Sequence, residues 1–545
     1  MVTLPFQLTG SEVDESPTVN ADRIGRLYIA SISPNHKQRL GQYLTPIDVA
    51  MFMAKLYEPR KCDLLRVLDP GAGSGTLVCA LCETMAKNQT RPEAIELVAY
   101  ELDTTLARQL EACLEYTKQW LATRGIQTQF TIYTSDFVMD HASALNRSPR
   151  LFPCIQDIAP FDVVISNPPY FKIPKSDPRA QAASLVVHGQ PNLYALFMAV
   201  SATLLKPRGQ LIVISPRSYA AGSYFRLFRE RFFSIMRPEV IHLFGSRRDA
   251  FKRDEVLQEN IILRARRLDR WTKQPLHGSV QVSFSSGIHD LPNAERREVP
   301  LNEVLDWTSR YKVLRIPTKT TDDIVARLVR SWLGSLHKYG LEISTGPVVP
   351  FRSTGLLSQH GQVPGTHAPL LWMQNVHPMK VSWPTNAPNK PQYIRISHDA
   401  MPLLVADNNY VILRRFSAKE QHRRLTAAPL LAGSLGSPVI GLENHLNYIY
   451  RPNGSLVEEE ARGLAILLNS NLMDTYFRTF SGNTQVSATE LRAMPLPPLR
   501  LIIDIGRRAL SLPKFDGLID NLVEEALQLN NSVPGMEGAI HHEQD

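Results

Sequence analysis

Cysteine is scarce. The 545 residues contain five, Cys62, Cys79, Cys82, Cys113 and Cys154, all in the first third of the chain. That odd, one-sided set excludes a disulfide framework. Cys79 and Cys82 form a C-x-x-C, but no second cysteine or histidine pair stands at ligand spacing. The pair therefore reads as two small apolar residues one turn apart on a buried helix face, and no metal is expected. No apolar run approaches the roughly 20 residues of a membrane span. The first thirty residues mix Asp and Glu among their apolar positions and lack a signal-peptide core. A soluble, cytoplasmic protein is the expectation. Repeats and low-complexity tracts are absent. No glycine loop ends in Gly-Lys-Ser/Thr, which argues against a phosphate-cradling P-loop.

What is present is ordinary globular material, 43% hydrophobic and 21% charged, enough for a large core. Length allows two to four domains. The net charge is +8, from 60 Lys and Arg against 52 Asp and Glu. From Ser201 to Pro275 stand 16 basic and 7 acidic residues. A polyanion such as nucleic acid would suit that excess. A solvated basic face would account for it nearly as well.

From about residue 60 to 265, short β-rich runs alternate with helical ones. Strands are expected at Leu64–Leu68, Ile95–Tyr100, Phe130–Tyr133, Phe161–Ser166 and Gln210–Ser215, with closing strands at Val240–Phe244 and Asn260–Leu263. Helices are expected at Ser74–Lys87, Thr104–Thr123, Asn192–Leu205 and Tyr219–Phe233. Nearly all-apolar strands in such alternation predict a parallel sheet covered on both faces, an α/β Rossmann-like fold that binds ligands at the carboxyl ends of its strands. Residues 1–20 are polar and expected to be loose. Beyond about 280 the rhythm breaks, prolines thicken between Gly346 and Pro402, and a separate loop-rich domain is expected. Leu456–Phe477 reads as one amphipathic helix inside it. The tail from about Asn531 is expected to be disordered.

Val67-Leu68-Asp69-Pro70-Gly71-Ala72-Gly73-Ser74-Gly75 follows a strand and opens a helix. Gly71, Gly73 and Gly75 let the backbone turn sharply and approach a ligand. Asp69 enters the loop directly, and a carboxylate there would repel a pyrophosphate. S-adenosylmethionine has no phosphate and carries an ammonium and a sulfonium, which favour acidic surroundings. Glu101 lies 26 residues after Gly75, at the end of the second strand. Its carboxylate can accept from two ribose hydroxyls, although an exposed helix cap would also use an acid.

Ser166-Asn167-Pro168-Pro169-Tyr170 follows the fourth strand. Prolines end strands, so a plain turn is one reading. The other is chemical. An exocyclic amine on a base is a poor nucleophile because its lone pair is delocalised into the ring. The side-chain oxygen of Asn167 and the carbonyl of Pro168 can each accept one of its N–H bonds and return electron density to nitrogen. The prolines fix φ and keep that carbonyl still, and Tyr170 offers an aromatic face for stacking. In duplex DNA the base must flip out to be reached.

With these motifs in this order, the chain resembles the γ-class, TaqI-type N6-adenine DNA methyltransferases of restriction–modification systems. The resemblance covers residues 37–265 and extends weakly to Ser481–Val486 and Leu491–Pro497. Gly41-Gln42-Tyr43-Leu44-Thr45-Pro46 is similar to the segment that helps hold the methionine moiety, with Thr45 at the matching position. Asp136-Phe137 matches the pair around the cofactor adenine. Asp249-Ala250-Phe251 is similar to the segment whose aromatic sandwiches the flipped base opposite Tyr170. The resemblance implies S-adenosylmethionine as cofactor, double-stranded DNA as substrate, a monomer, a bacterial setting and a cognate restriction endonuclease in the same system. It implies an N-terminal extension at 1–36, a catalytic domain at 37–285, a target-recognition domain at 286–500, and a C-terminal helix with a disordered tail at 501–545. A fused nuclease is not expected ahead of Gly41. N4-cytosine or RNA methylation, or an inactive DNA-binding homologue, stays open at this point. Base-contact candidates are Phe351–Thr354, Arg414-Arg415-Phe416 and His422-Arg423-Arg424. The polar segment Lys172–Gln190 is expected to be mobile and to order on DNA.

Overall fold

A computed structural model describes residues 15–33, 44–146, 159–245, 259–272, 274–307, 312–361, 365–385, 390–418, 421–482, 484–512 and 517–529. The chain divides into two compact units, Met1–Thr318 and Lys319–Asp545.

Among the described residues the first unit holds nine strands: β1 Leu64–Asp69, β2 Ala94–Tyr100, β3 Gln127–Tyr133, β4 Phe161–Ser166, β5 Leu205–Pro216, β6 Met236–Phe244, β7 Asn260–Arg267, β8 Ser279–Ser285 and β9 Glu295–Pro300. Their order across the sheet is β3-β2-β1-β4-β5-β7-β6-β8-β9. The first five run parallel. β4 has the same bounds as the sequence reading, and all six of its residues are buried. Val163 and Ile165 pack into the core on one face of the sheet, and Val164 into the core on the other. That two-sided burial is why apolar residues stand on both faces of the strand.

The expected all-parallel sheet needs correction. β7 lies antiparallel between β5 and β6, and β8 and β9 extend the sheet where the rhythm was expected to end. β8 reads Ser-Val-Gln-Val-Ser-Phe-Ser, with Gln281 and Ser283 between its apolar residues. That alternation suits strands nearer an edge and hides them from a search for apolar runs.

Eight helices matter for the site: α1 Pro17–Ser31, α2 Ile47–Lys55, α3 Thr76–Lys87, α4 Thr104–Ala122, α5 Phe137–His141, α6 Pro178–Ala182, α7 Leu193–Leu204 and α8 Arg226–Phe233. Residues 15–20, expected to be loose, include the first turn of α1, which Ser16 caps through the Val19 N–H; residues 1–14 lie outside the described set. The expected helix Tyr219–Phe233 is two short 3₁₀ turns followed by α8. Buried Arg229 donates to the Tyr219 and Gly222 carbonyls, drawing them out of a continuous helix. The segment 172–190, expected to be mobile, is anchored: Ile173, Ala180, Ala183 and Val186 are buried in the core, and Asp177 caps α6. Four apolar residues spread among polar ones gave no periodic signal.

The second unit holds a four-stranded antiparallel sheet, in the order Glu342–Thr345, Leu446–Tyr450, Tyr410–Arg414, Ala427–Leu430. A five-stranded sheet of two- to five-residue strands accompanies it. The expected helix Leu456–Phe477 is two helices, Glu458–Asn469 and Asn471–Phe480. Ser470 between them is extended, at ψ 151°, and its side chain caps the second helix. Asp520 accepts from the Asn471 N–H at 2.6 Å, which satisfies the amide freed by the break. No described helix is long and apolar enough to cross a membrane.

Helix Glu458–Asn469 packs on helix Leu499–Leu510 at backbone contact. A Cβ at Gly463 would fall 1.8 Å from the Ile502 carbonyl oxygen, and one at Gly506 would fall 1.8 Å from that of Glu459. Gly463→Ala should therefore lower stability by about 2–3 kcal/mol, an overpacking cost that outweighs alanine's helix preference. Urea unfolding measures it, and a variant as stable as the parent would contradict the contact.

Candidate active site

The carboxyl ends of β1, β2 and β4 converge on one cavity of about 220 Å³. β1 ends at Asp69 and the chain turns through the glycine loop into α3. Gly73 (φ 56°) and Gly75 (φ 86°) take left-handed conformations that a side chain would strain. The Ala72 N–H donates to the Tyr100 carbonyl at 2.9 Å, fixing the loop to the end of β2.

Glu101 is buried and bridges two elements. Its Oε2 accepts from the Gly73 N–H at 3.0 Å and its Oε1 from the Asp103 N–H at 2.8 Å. Asp103 in turn caps α4 through the Thr105 and Leu106 amides. Asp69 is fully buried. Its Oδ1 stands 3.4 Å from the Gly71 nitrogen, and its Oδ2 has no hydrogen-bond partner among the described residues. Burial pushes its carboxyl up to about 7; the Gly71 amide pulls it down and the nearby Glu101 charge adds to the rise.

Asp136 caps α5, its Oδ1 accepting from Val138 and Met139. Its Oδ2 lies 3.7 Å from Arg179 Nη1. Phe137 is buried edge-on to Tyr100, with centroids 5.3 Å apart, and tilted on Phe197 at 5.2 Å. Asn167 leaves β4 and donates from Nδ2 to Thr45 Oγ1 at 3.0 Å. Its Oδ1 accepts from the Tyr170 hydroxyl at 2.6 Å, which also lies 3.2 Å from the Ile214 carbonyl of β5. Tyr170 is nine-tenths buried, edge-on to Tyr194 at 6.3 Å, and burial holds its phenol well above the usual range.

Of the residues singled out from sequence, Thr45, Gly71, Gly73, Glu101, Asp136, Phe137 and Asn167 line the cavity. Asp69, Gly75, Pro168 and Tyr170 stand behind or beside that lining. Phe251 and Gly41–Tyr43 lie outside the described residues. Phe171, Arg179 and Phe197 are among the lining residues that were not singled out. Arg179 follows Asp177-Pro178, a cap-and-proline helix start that was legible. Phe197 sits in an apolar helix, where nothing separates it from core.

The lining carries the carboxylates of Glu101 and Asp136 and one cation, Arg179, which is bound bidentately to Asp177. With the orphaned oxygen of Asp69 behind the loop and Tyr100, Phe137, Phe171 and Phe197 around it, this chemistry fits a nucleoside that carries positive charge. No group of His, Cys, Asp and Glu that could hold a metal occurs among the described residues.

The second unit sorts the arginine candidates. Arg424 is fully buried, with its Nε on Ser417 Oγ and its backbone N–H on Asp474. Arg414 donates to the Val376 carbonyl, Arg415 to that of Asn444, and Arg423 pairs with Asp520. These four take structural roles. Phe351 and Arg352 are exposed, the guanidinium 5.3 Å from the ring centroid.

The family model described as Eco57I restriction-modification methylase matches residues 89–251. The type II methyltransferase M.PstI of Providencia stuartii is 30% identical over 519 residues, 94% of this chain and 98% of that protein. M.BsuBI of Bacillus subtilis, also a type II methyltransferase, is 32% identical over 495 residues, 90% of this chain and 95% of that protein. Among solved structures, the ATP-dependent type ISP restriction–modification enzyme LlaBIII bound to DNA is similar at a TM-score of 0.46 and 11% identity, over 91% of this chain and 41% of that one. A likeness that distant bears on neither substrate nor site. Near-full-length relatives and the cavity's chemistry agree: the chain belongs to the type II restriction–modification DNA methyltransferases, with S-adenosylmethionine as its cofactor.

Proposed function

We propose that the enzyme methylates N6 of an adenine flipped out of duplex DNA and so shields host DNA from a cognate restriction endonuclease. The observation that carries this is the placement of Asn167. Its amide lines the cofactor cavity and is held at both ends, by Thr45 and by the Tyr170 hydroxyl. Pro168 follows it and contributes a rigid carbonyl acceptor.

Bound S-adenosylmethionine supplies a methyl group activated by a sulfonium. The chain's own residues do the rest. Glu101 accepts from the ribose hydroxyls, Asp136 and Phe137 flank the adenine moiety, and Thr45 and the glycine loop hold the methionine end, with Asp69 as counter-charge. Asn167 Oδ1 and the Pro168 carbonyl accept the two N–H bonds of the target amine and restore its lone pair. Tyr170 and Phe251 grip the base. Tyr170 is nine-tenths buried, so stacking requires part of its cover to open as the base enters. Flipping costs a few kcal/mol, which contacts in the pocket must return. The second unit selects the sequence, and exposed Phe351 and Arg352 are its first candidates for contact with DNA.

Incubation with bacterial DNA and methyl-labelled S-adenosylmethionine, followed by nucleoside analysis, should yield N6-methyladenine; N4-methylcytosine or labelled RNA would overturn the proposal. Asn167→Ala should lower kcat by about 10²–10³-fold, the cost of losing one preorganised polar contact to the reacting group, while the cofactor still binds.

Asp69 gives a pH signature. The free chain keeps this carboxyl protonated below about 7, and a cationic ligand favours the carboxylate. Binding at lower pH therefore releases a proton. Cofactor affinity should rise about tenfold per pH unit as pH increases towards that value, then level off. Titration calorimetry in buffers of differing ionisation heat measures both effects. Asp69→Asn should flatten the profile; a flat profile in the parent would remove Asp69 from the role.

A further inference from the structure

Helix α1 precedes every motif that the sequence reading used, yet it touches both walls of the cofactor cavity. Ala21 and Tyr28 on its inner face are buried, and Thr18 donates to Glu83 of α3 at 2.6 Å. Two of its residues touch groups that shape the site.

The first is Gly25, in the interior of the helix, where glycine costs about 1 kcal/mol relative to alanine. A Cβ there would stand 2.7 Å from Ser74 Oγ and 2.8 Å from Leu44 Cδ1. Ser74 belongs to the glycine loop, Leu44 directly precedes Thr45, and both line the cavity. Leu44 is also wedged against Gly73, where a Cβ would meet its Cδ2 at 2.9 Å. The missing side chain of Gly25 is thus the space that Leu44 and Ser74 occupy.

The second is Tyr28. Its hydroxyl donates to Asp103 Oδ2 at 2.8 Å. Asp103 keeps its other oxygen on the α4 amides, and its own N–H donates to Glu101. Tyr28 therefore holds the residue that holds Glu101. One wall carries the loop and Leu44, the other carries Glu101, and Gly25 and Tyr28 lie on the same helix within one turn.

We propose that α1 is a positioning element of the cofactor site: Gly25 sets how far Leu44 and Ser74 lean into the cavity, and Tyr28 steadies Glu101 through Asp103. The effect of changing either residue falls on cofactor affinity.

The test compares Gly25→Ala and Tyr28→Phe with the parent in the full-length chain. Calorimetry reads the Kd of S-adenosylmethionine and of its unreactive product, S-adenosylhomocysteine, without DNA. Thermal melting reads the ligand-free stability, and steady-state assays read KM and kcat. The proposal expects Gly25→Ala to weaken both ligands at least fivefold while ligand-free stability changes little, because alanine's helix preference offsets the cost of displacing the side-chain ends of Ser74 and Leu44. Tyr28→Phe should weaken them about threefold, with the cofactor KM rising more than kcat falls. A purely structural α1 gives the opposite pattern, with melting temperature shifted and both Kd values within twofold of the parent; that result overturns the proposal. Should Gly25→Ala fail to fold, Tyr28→Phe alone decides by the same criteria. A parent that binds neither ligand would refute the cofactor assignment, and this inference with it; equal binding by parent and variants refutes this inference alone.

Discussion

The Glu101 carboxylate accepts one backbone N–H from each side of the cavity, from Gly73 of the loop after β1 and from Asp103 at the start of α4. That bridge ties the glycine loop to the end of β2. Charge-assisted bonds of this kind are about twice as strong as neutral ones, and the one from Gly73 costs the backbone something. Gly73 must take a left-handed conformation to aim its N–H at the acid. Asp103 stays extended and aims its own amide at Glu101 while its side chain caps α4. The two strand ends are therefore held at fixed separation before any ligand arrives. Such preorganisation lets a cofactor bind without spending its contacts on ordering the loop.

Asp69 complements this arrangement by being unsatisfied. A buried carboxylate oxygen with no partner is costly and is tolerated where a ligand completes it. Glu101, by contrast, is already bonded on both oxygens, and a carboxylate retains further acceptor capacity for hydroxyls. One acid is thus a preformed scaffold with capacity to spare, and the other a buried carboxyl with an unpartnered oxygen, which is what the proposed counter-charge role asks of it. The two roles follow from burial and from backbone donors, since the residue types are nearly the same.

Much of this was legible in the sequence because parallel, two-sided strands leave strong signals. β1, β2 and β4 could be placed from apolar runs, and the residues that follow each run are the ones the fold brings together. Thr45 and Asn167 stand 122 positions apart and share a hydrogen bond. What was not legible has physical reasons. Arg179 enters the cavity from a segment whose apolar anchors lack periodicity. Ser470 breaks an apparently continuous amphipathic pattern because its hydroxyl caps the following helix. β8 hides its strand character in alternating polar residues. Gly25 looks like any helix glycine until the loop packed against it is known.

The basic stretch from Ser201 to Pro275 was open to two readings, a polyanion partner or a solvated basic face, and several of its described cations fit neither because they are paired within the fold. Arg217 is paired with Glu259 in a buried ion pair, Arg264 and Arg266 share Glu239, Lys206 pairs with Asp162, and Arg229 is buried on two carbonyls. Cations held this way are committed to the fold and are weak sources of attraction for a phosphate backbone, since their fields are largely cancelled at short range. Net charge alone therefore overstates the surface available to DNA in this stretch. Arg247, Arg248, Lys252, Arg253 and Lys273 lie outside the described residues, and in the sequence the first four flank Phe251, the aromatic proposed above for the flipped base. A cation that the fold leaves unpaired does more for DNA binding than several paired ones within the sheet. The informative quantity is thus where an uncompensated positive charge stands relative to Asn167, and the total of +8 does not report it.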